Sequence, residues 1–374
     1  QRLIKRAQFH SFISHHKADA AAQARYVQIV IMNTSGRDVY IDSDHLMDLD
    51  MLLDVVRNKV GLLVVLLTRS TLRRPWCAGE IVVTHQGPRR AATIVSESFV
   101  APTPEDLADV GAFLDVSDSG LGEFQMAETF VPEAYAWLLS NEVPSASLDP
   151  AMGGRGRFSG ALAQLGLDGS HSVAAMPSSS SGSFRGAVVV SSDPADAEAT
   201  ATAAIFVLQS QARLMSRTGK PTFVLADHDD LTHAEAFDVV KESFAFVMLL
   251  SSGSLGVASQ VQAALSALRC ADAFGLSLVP VNMPGFRFPT GAEMQWAVQR
   301  VGGEVELLQR LFRRITVAIT PAAAIGIISC QVASILERFP TDVSATYKEK
   351  RALVAVTDAM VGPLSDNDKD WISF

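Results

Sequence analysis

Val60-Gly61-Leu62-Leu63-Val64-Val65-Leu66-Leu67 is the stretch that most limits how this chain can fold. It is short, rich in branched side chains and uncharged, which is the signature of a central strand buried on both faces of a parallel sheet. A parallel strand needs a crossover, and Thr68–Thr84 supplies one. Pro75 suits the first turn of a helix, where its missing N–H costs nothing. Trp76 and Glu80 lie four apart and share one face of that helix. Glu80 is expected on a partly open face, beside an aromatic ring.

The same alternation runs through the first third of the chain. Phe12-Ile13 is a strand candidate leading into polar Ser14-His15-His16-Lys17. An alanine-rich helix follows from Asp19 to about Ile31, with Ala20, Ala24, Val27 and Ile31 on one side. Val39-Tyr40-Ile41 is the next strand, and Leu46, Leu49, Leu52, Leu53 and Val56 mark a second amphipathic helix. Beyond the focal helix, Ala91 to Val95 reads as a fourth strand, with helices at Glu105–Leu114 and Glu133–Leu139.

Residues 143–185 change character, with Gly153-Gly154-Arg155-Gly156 and a serine run from Ser178 to Ser183, and 151–185 reads as a flexible linker. The earlier pattern then restarts. Strands are expected near Ala187–Val190, Thr222–Leu225, Ser243–Leu250, Ser277–Val281 and Thr316–Ile319. Helices are expected at Asp196–Met215, Glu293–Arg313 and Ala323–Glu337. Pairing Ser14 with Ser191, Asp42 with Asp227 and Leu67 with Leu250 gives offsets of 177, 185 and 183, so the two halves read as diverged copies. The domain reading is 1–150, a linker at 151–185, a second copy at 186–340 and a tail at 341–374. The fold class is α/β, two flavodoxin-like doubly wound parallel sheets in tandem.

With 374 residues, 48% of them apolar, each copy can bury a core. The formal charge of −9 argues against a general nucleic-acid or anionic-membrane binder. Cys77, Cys270 and Cys330 are odd in number and far apart, which indicates neither a disulfide framework nor a zinc site and fits a reducing, cytoplasmic setting. No apolar run reaches the roughly 18 to 20 residues of a membrane span. Adjacent histidines point apart, so His10, His15 and His16 are not read as metal ligands, and Gly154-Arg155-Gly156 has no strand before it to make a dinucleotide fingerprint.

Phe12-Ile13-Ser14, Val39-Tyr40-Ile41-Asp42-x-Asp44-x-Leu46, and Ser70 with Pro75-Trp76-Cys77-x-x-Glu80-Ile81 together resemble a Toll/interleukin-receptor (TIR) domain. The match covers about residues 9–95, and residues 186–340 resemble the family in outline. The resemblance implies strand order 2-1-3-4-5. For part of the family it implies cleavage of NAD to nicotinamide and ADP-ribose, linear or cyclic, with Glu80 as the catalytic carboxylate. NAD or NADP is then a substrate and no cofactor is called for. In a sheet of that order ligands sit beyond the carboxyl ends of strands one and three. The expected binding residues are therefore Ser14, His16, Lys17 and Ser70, with Trp76 on the same wall and Asp44 as acceptor for a ribose hydroxyl. The expected partners are other TIR domains, including self-association.

Two features depart from the family. The loop after Leu46 lacks its customary glycine, and residues 96–150 match poorly. In the second copy Ser192-Asp193-Pro194 replaces His15-His16-Lys17, and either Gln260 or Ala263 stands where the glutamate should be, so that copy is expected to be catalytically silent. The alternative function is a signalling adaptor that binds other TIR domains and catalyses nothing.

Overall fold

A computed structural model describes residues 7–45, 50–114, 129–148, 154–167, 188–218, 223–225, 240, 243–314 and 316–339. The chain divides into two compact units, residues 1–174 with 321–324 and residues 175–320 with 325–374.

The first unit runs β1 (Ser11–Ser14), α1 (Lys17–Ser35), β2 (Val39–Tyr40), α2 (Asp42–His45), α3 (Asp50–Lys59), β3 (Leu62–Leu67), α4 (Pro75–His85), β4 (Arg90–Val95), α5 (Pro104–Ala108), α6 (Val110–Phe113), α7 (Phe130–Leu138), β5 (Ser145–Ser147) and α8 (Gly154–Gln164). Its sheet is parallel throughout, in the order β2-β1-β3-β4-β5. All six residues of β3 are buried, as expected of a strand with helices on both faces. The packing core joins β3 to Leu52, Val56, Ile81, Val82 and Tyr135.

α1 starts two residues earlier than its alanine pattern predicts and is buried almost all round from Ala22 to Ile31. Two contacts account for the second buried side. Tyr26 packs on Phe158 of α8, ring centroids 5.2 Å apart, and Arg25 is drawn inward by Asp44. α1 stops at Gly36, whose φ of 62° lets its N–H reach back to the carbonyl of Met32 at 3.0 Å. Asp109 divides the helix expected over Glu105–Leu114, leaving helical geometry to accept the N–H of Ala112.

The second unit runs β6 (Val188–Ser191), α9 (Ala197–Thr218), β7 (Phe223–Leu225), β8 (Ala245–Leu250), α10 (Ala258–Phe274), β9 (Ser277–Asn282), α11 (Gly291–Gln299), α12 (Val305–Phe312), β10 (Val317–Ala318) and α13 (Ile325–Leu336). Its sheet order is β7-β6-β8-β9-β10, again parallel. The helix expected over Glu293–Arg313 is two helices. At the break, Gly302 has φ 67°, and a β-carbon on Gly303 would collide with the side chain of Leu265.

The registers of the two sheets coincide. Phe12 pairs with Leu63 as Val189 pairs with Phe246, Phe12 with Tyr40 as Val189 with Val224, and Leu62 with Arg90 as Ala245 with Ser277. A one-residue slip would turn every side chain to the wrong face, so equal registers mean equivalent inward positions. Both units are α/β doubly wound sheets of order 2-1-3-4-5.

Two expectations need correction. Residues 154–164 are not linker. They form α8, whose Phe158, Ala161 and Leu162 are buried in the first unit. The fifth strand implied by the order 2-1-3-4-5 has no local signal to place it in the sequence, because β5 is a three-residue edge strand with only Ala146 buried. Asp227, the loop around Leu46 to Leu49, residues 168–187 and the tail from Thr341 fall outside the described residues.

Candidate functional site

Beyond Leu67 the chain makes a tight turn held by hydroxyls. Thr71 Oγ1 donates to the carbonyl of Leu66 at 2.7 Å and accepts the N–H of Thr68 at 3.0 Å. One 3₁₀ turn, Thr71–Arg73, then hands the chain to α4. Arg74 takes the extended conformation that precedes a helix, and Pro75 occupies the first turn. This geometry points α4 back over the sheet. Trp76 is half-buried against the core and Glu80 is fully inside, at 4% exposure. The partly open face expected for Glu80 is thus a closed one.

Glu80 Oε2 is buried without a hydrogen-bond partner. Burial pushes the pKa of the carboxyl up to about 8. The neighbouring Ser14 hydroxyl and the Lys17 charge pull it down, and Asp42 pushes it further up. Ser14 Oγ is itself buried without a partner, so it lies beside the carboxyl but not in hydrogen-bond geometry with it. Ser14 ends β1 and Asp42 follows β2, so three elements meet at one edge of the sheet.

The other expected residues divide into two groups. Lys17 Nζ pairs with Asp42 Oδ2 at 2.9 Å and stays half-exposed, while Asp42 Oδ1 is buried and unpartnered. His16 Nδ1 lies 3.0 Å from Asp19 Oδ1. Asp19 Oδ2 accepts from Thr68 Oγ1 at 2.9 Å and from the Ser70 N–H at 3.1 Å. Burial raises the pKa of Asp19, but Thr68, Ser70 and His16 together outweigh it and leave the carboxyl below its usual range. Lys17 therefore sits beside Glu80, whereas His16 and Ser70 belong to a clasp around Asp19, which already takes the Ser70 N–H.

Asp44 does not join the site. Both its oxygens face Arg25, one at 2.7 Å, and Gln28 Nε2 donates to Oδ2 at 3.0 Å. Arg25 is fully buried. Removing a partner from such a pair leaves a charge stranded in the interior, so Asp44 is structural and the ribose role read for it is corrected. Asp42, two residues earlier, is the aspartate that stands beside Lys17 and Glu80. His15 Nδ1 donates to the Ile13 carbonyl, 3.3 Å away, and burial lowers its pKa. Cys77 Sγ lies 3.6 Å from the His15 carbonyl with its thiol pushed well up by burial, which makes it inert packing. No group of three or more metal-ligating side chains occurs among the described residues.

The second unit repeats the turn without the glutamate. Ser254 Oγ lies 3.4 Å from the Leu249 carbonyl and accepts the Ser251 N–H at 2.8 Å. A 3₁₀ turn, Ser254–Gly256, again leads to an extended residue, Val257, before α10 begins at Ala258. Strand, clasp, turn and helix start therefore align without a gap, and Glu80 corresponds to Ala263, also buried. Of the two candidates at that position, Ala263 is the equivalent. Gln260 takes the place of Cys77 and donates to the Leu249 carbonyl at 2.9 Å. Asp193 stands so close to Gly253 that no β-carbon fits there, an acidic contact across the same crevice that Asp19 spans in the first unit.

No family model matches the chain. No curated protein matches it either. Among solved structures it is similar to a periplasmic sugar-binding protein from Pseudomonas fluorescens, at 10% identity over 95% of this chain and 80% of that one, with a TM-score of 0.20. A putative sugar binding protein from Salmonella typhimurium LT2 is similar at 13% identity over 81% and 87%, with a TM-score of 0.22. A tagatose-6-phosphate ketose/aldose isomerase from Escherichia coli is similar at 11% identity over 86% and 87%, with a TM-score of 0.20. Scores this low carry no argument about ligand or reaction. No described helix is long and apolar enough to cross a membrane.

Proposed function

We propose that the first unit is a TIR-like domain that cleaves NAD into nicotinamide and ADP-ribose, with Glu80 opposite the ribosyl oxocarbenium. One observation carries the reading: Glu80 keeps a buried, unpartnered carboxyl oxygen where the second unit, built in the same register, has Ala263. An unsatisfied buried acceptor costs roughly 1 to 3 kcal/mol. The second unit forms the same scaffold without the glutamate, so the fold does not require that cost and a chemical use explains it.

The chemistry suits a single carboxylate. Nicotinamide leaves as a neutral pyridine, so no general acid is needed and the usual pair of carboxyls reduces to one. A carboxylate about 4 Å from the forming cation, at an effective dielectric near 20, offers on the order of 4 kcal/mol, about a thousandfold in rate. A pKa of about 8 leaves Glu80 mostly protonated at neutral pH in the free protein. The positive nicotinamide ring of the substrate favours ionisation, so charge appears when substrate is bound.

At 4% exposure Glu80 has to be uncovered before substrate reaches it. That coverage favours the second reading, a TIR-like adaptor that acts by binding other TIR domains. In either case partners of the same kind are expected, and two copies on one chain raise their mutual concentration into the millimolar range. The deciding experiment incubates the purified chain with NAD across a dilution series, measuring nicotinamide release alongside sedimentation. Release that rises faster than protein concentration supports an enzyme completed by self-association. No release from folded, associated protein leaves the adaptor.

A further inference from the structure

We propose that Asp42, not Asp44, accepts hydrogen bonds from the ribose hydroxyls of the substrate and so positions the sugar against Glu80; this rests on the NAD-cleaving reading above. Three buried side-chain oxygens at this edge of the first unit lack a partner: Ser14 Oγ at the end of β1, Asp42 Oδ1 at the start of α2, and Glu80 Oε2 on α4. Ser14 is 1% exposed and Glu80 4%; the Asp42 side chain is 25% exposed, through its other atoms, while its Oδ1 is buried. One unsatisfied oxygen is a local cost. Three from separate elements at one edge of the sheet call for a ligand rich in hydroxyls: Asp42 Oδ1 takes only donors, while Ser14 and a protonated Glu80 can also donate.

The kind of donor follows from what already surrounds the site. An ionised carboxylate only accepts, while serine both donates and accepts. Lys17 already neutralises Asp42 through Oδ2 at 2.9 Å, so a second cation on Oδ1 is not called for. Neutral O–H groups are, because hydroxyls make short, strong bonds to a carboxylate without adding charge. Two adjacent hydroxyls on a ring fit neighbouring acceptors better than one, and a ribose offers them. Asp44 cannot serve, since Arg25 and Gln28 occupy it.

The electrostatics agree. Asp42 raises the pKa of Glu80, secondarily to burial, while Ser14 and Lys17 lower it. His15, Tyr40, Cys77 and Arg74 are the other titratable or charged groups in this cluster, and Asp42 acts on the first three of them as well. Hydroxyls bonded to Asp42 spread its charge and ease the ionisation of Glu80 at the moment the sugar arrives.

The test is calorimetric binding to the full-length Glu80→Gln protein, which does not consume its ligand, with and without Asp42→Ala. The ligands are NAD and an NAD whose nicotinamide ribose lacks the 2′-hydroxyl. The parent variant should bind NAD about tenfold more tightly than the deoxy analogue, the yield of one charge-assisted hydrogen bond. Asp42→Ala should bind both alike. Asp42→Asn, which keeps shape and loses charge, should fall between them and serves if the alanine variant does not fold. Unchanged discrimination in folded Asp42 variants overturns the Asp42 assignment and leaves NAD cleavage standing. Discrimination that depends on Asp42 in a protein whose wild type releases no nicotinamide keeps the assignment and sinks the cleavage reading. No NAD binding by any form sinks both.

Discussion

The turn after β3 and the turn after β8 are the same device made from different residues. Each strand ends in a hydroxyl clasp, passes through one 3₁₀ turn and an extended residue, and enters a helix that lies back across the sheet. What differs is the cargo on the helix. α4 carries Trp76, Cys77 and Glu80, whereas α10 carries Ser259, Gln260 and Ala263 in their places. The strand and its clasp define the scaffold, and the scaffold accommodates either set of side chains. The two copies in one chain thus form an internal control.

The largest expected effect falls on that cargo. Glu80→Gln keeps shape and reach but removes the charge, so nicotinamide release should drop about a thousandfold while NAD affinity changes little. Whatever release survives in this full-length variant is an upper limit on the second unit's contribution. Residual turnover near the wild-type rate would mean that the second unit is active and that the contrast between Glu80 and Ala263 is not the functional one.

The pKa of Glu80 sharpens the same contrast. If ionised Glu80 is required, kcat/KM should climb about tenfold per pH unit below pH 8 and level off above it. Stability should move in the opposite sense. The folded pKa of about 8 lies above the ordinary 4.5, so this contribution is fully present below about pH 4.5 and is lost as pH rises to about 8. Glu80→Gln does not titrate, so its melting temperature should match wild type in acid and exceed it by pH 8. The corresponding difference in unfolding free energy is on the order of several kcal/mol, from 1.36 kcal/mol per unit of pKa difference. Parallel melting curves from pH 4 to 9 would place Glu80 in contact with water.

Much of this scaffold was legible in the residues because its signals are local. The Leu62–Leu67 run, Pro75 at a helix start and the four-residue spacing from Trp76 to Glu80 each need only a few neighbours to interpret. The site was less legible because its errors are long-range. Asp44 looks free until Arg25 and Gln28, on another element, are seen to take it. Glu80 reads as a helix-face residue until Ser14 and Asp42 close over it. α8 reads as linker because Gly154-Arg155-Gly156 has no helical pattern of its own, and its helix is fixed by Phe158 packing on Tyr26. β5 has one buried side chain, too few to leave an alternation.

A middle-sized effect tests the clasp. Thr71 Oγ1 makes a 2.7 Å bond to the Leu66 carbonyl and accepts at 3.0 Å from the Thr68 N–H, whereas Ser254 Oγ has 3.4 Å and 2.8 Å for the equivalent pair. Both hydroxyls are buried. Thr71→Val strands a buried N–H and a buried carbonyl and should cost about 2 to 3 kcal/mol by denaturant unfolding. Ser254→Ala breaks one good bond and one long one and should cost about 1 kcal/mol. Equal losses would show that the two clasps are energetically alike despite their geometry.

The smallest effect lies at a second matched feature, the helix start after the fourth strand of each sheet. Thr103 and Asp106 form a capping box at α5, with bonds of 3.2 and 2.9 Å, and Thr290 and Glu293 form one at α11, with bonds of 3.3 and 2.7 Å. The residue between cap and box differs: Pro104 in the first unit, Gly291 in the second. At a first helical position proline loses no hydrogen bond and its fixed φ is already helical. Nothing stands within 4 Å of where a β-carbon on Gly291 would be, and its φ is not in the left-handed region. Gly291→Pro should therefore stabilise the second unit by about 0.4 to 1 kcal/mol, acting through the unfolded chain, which has fewer conformations to lose. Glycine at the same place in the first unit, Pro104→Gly, should cost a similar amount. A destabilising Gly291→Pro would mean that α11 begins with a backbone unlike that of α5, and the two units would part company at this turn as well as at α4.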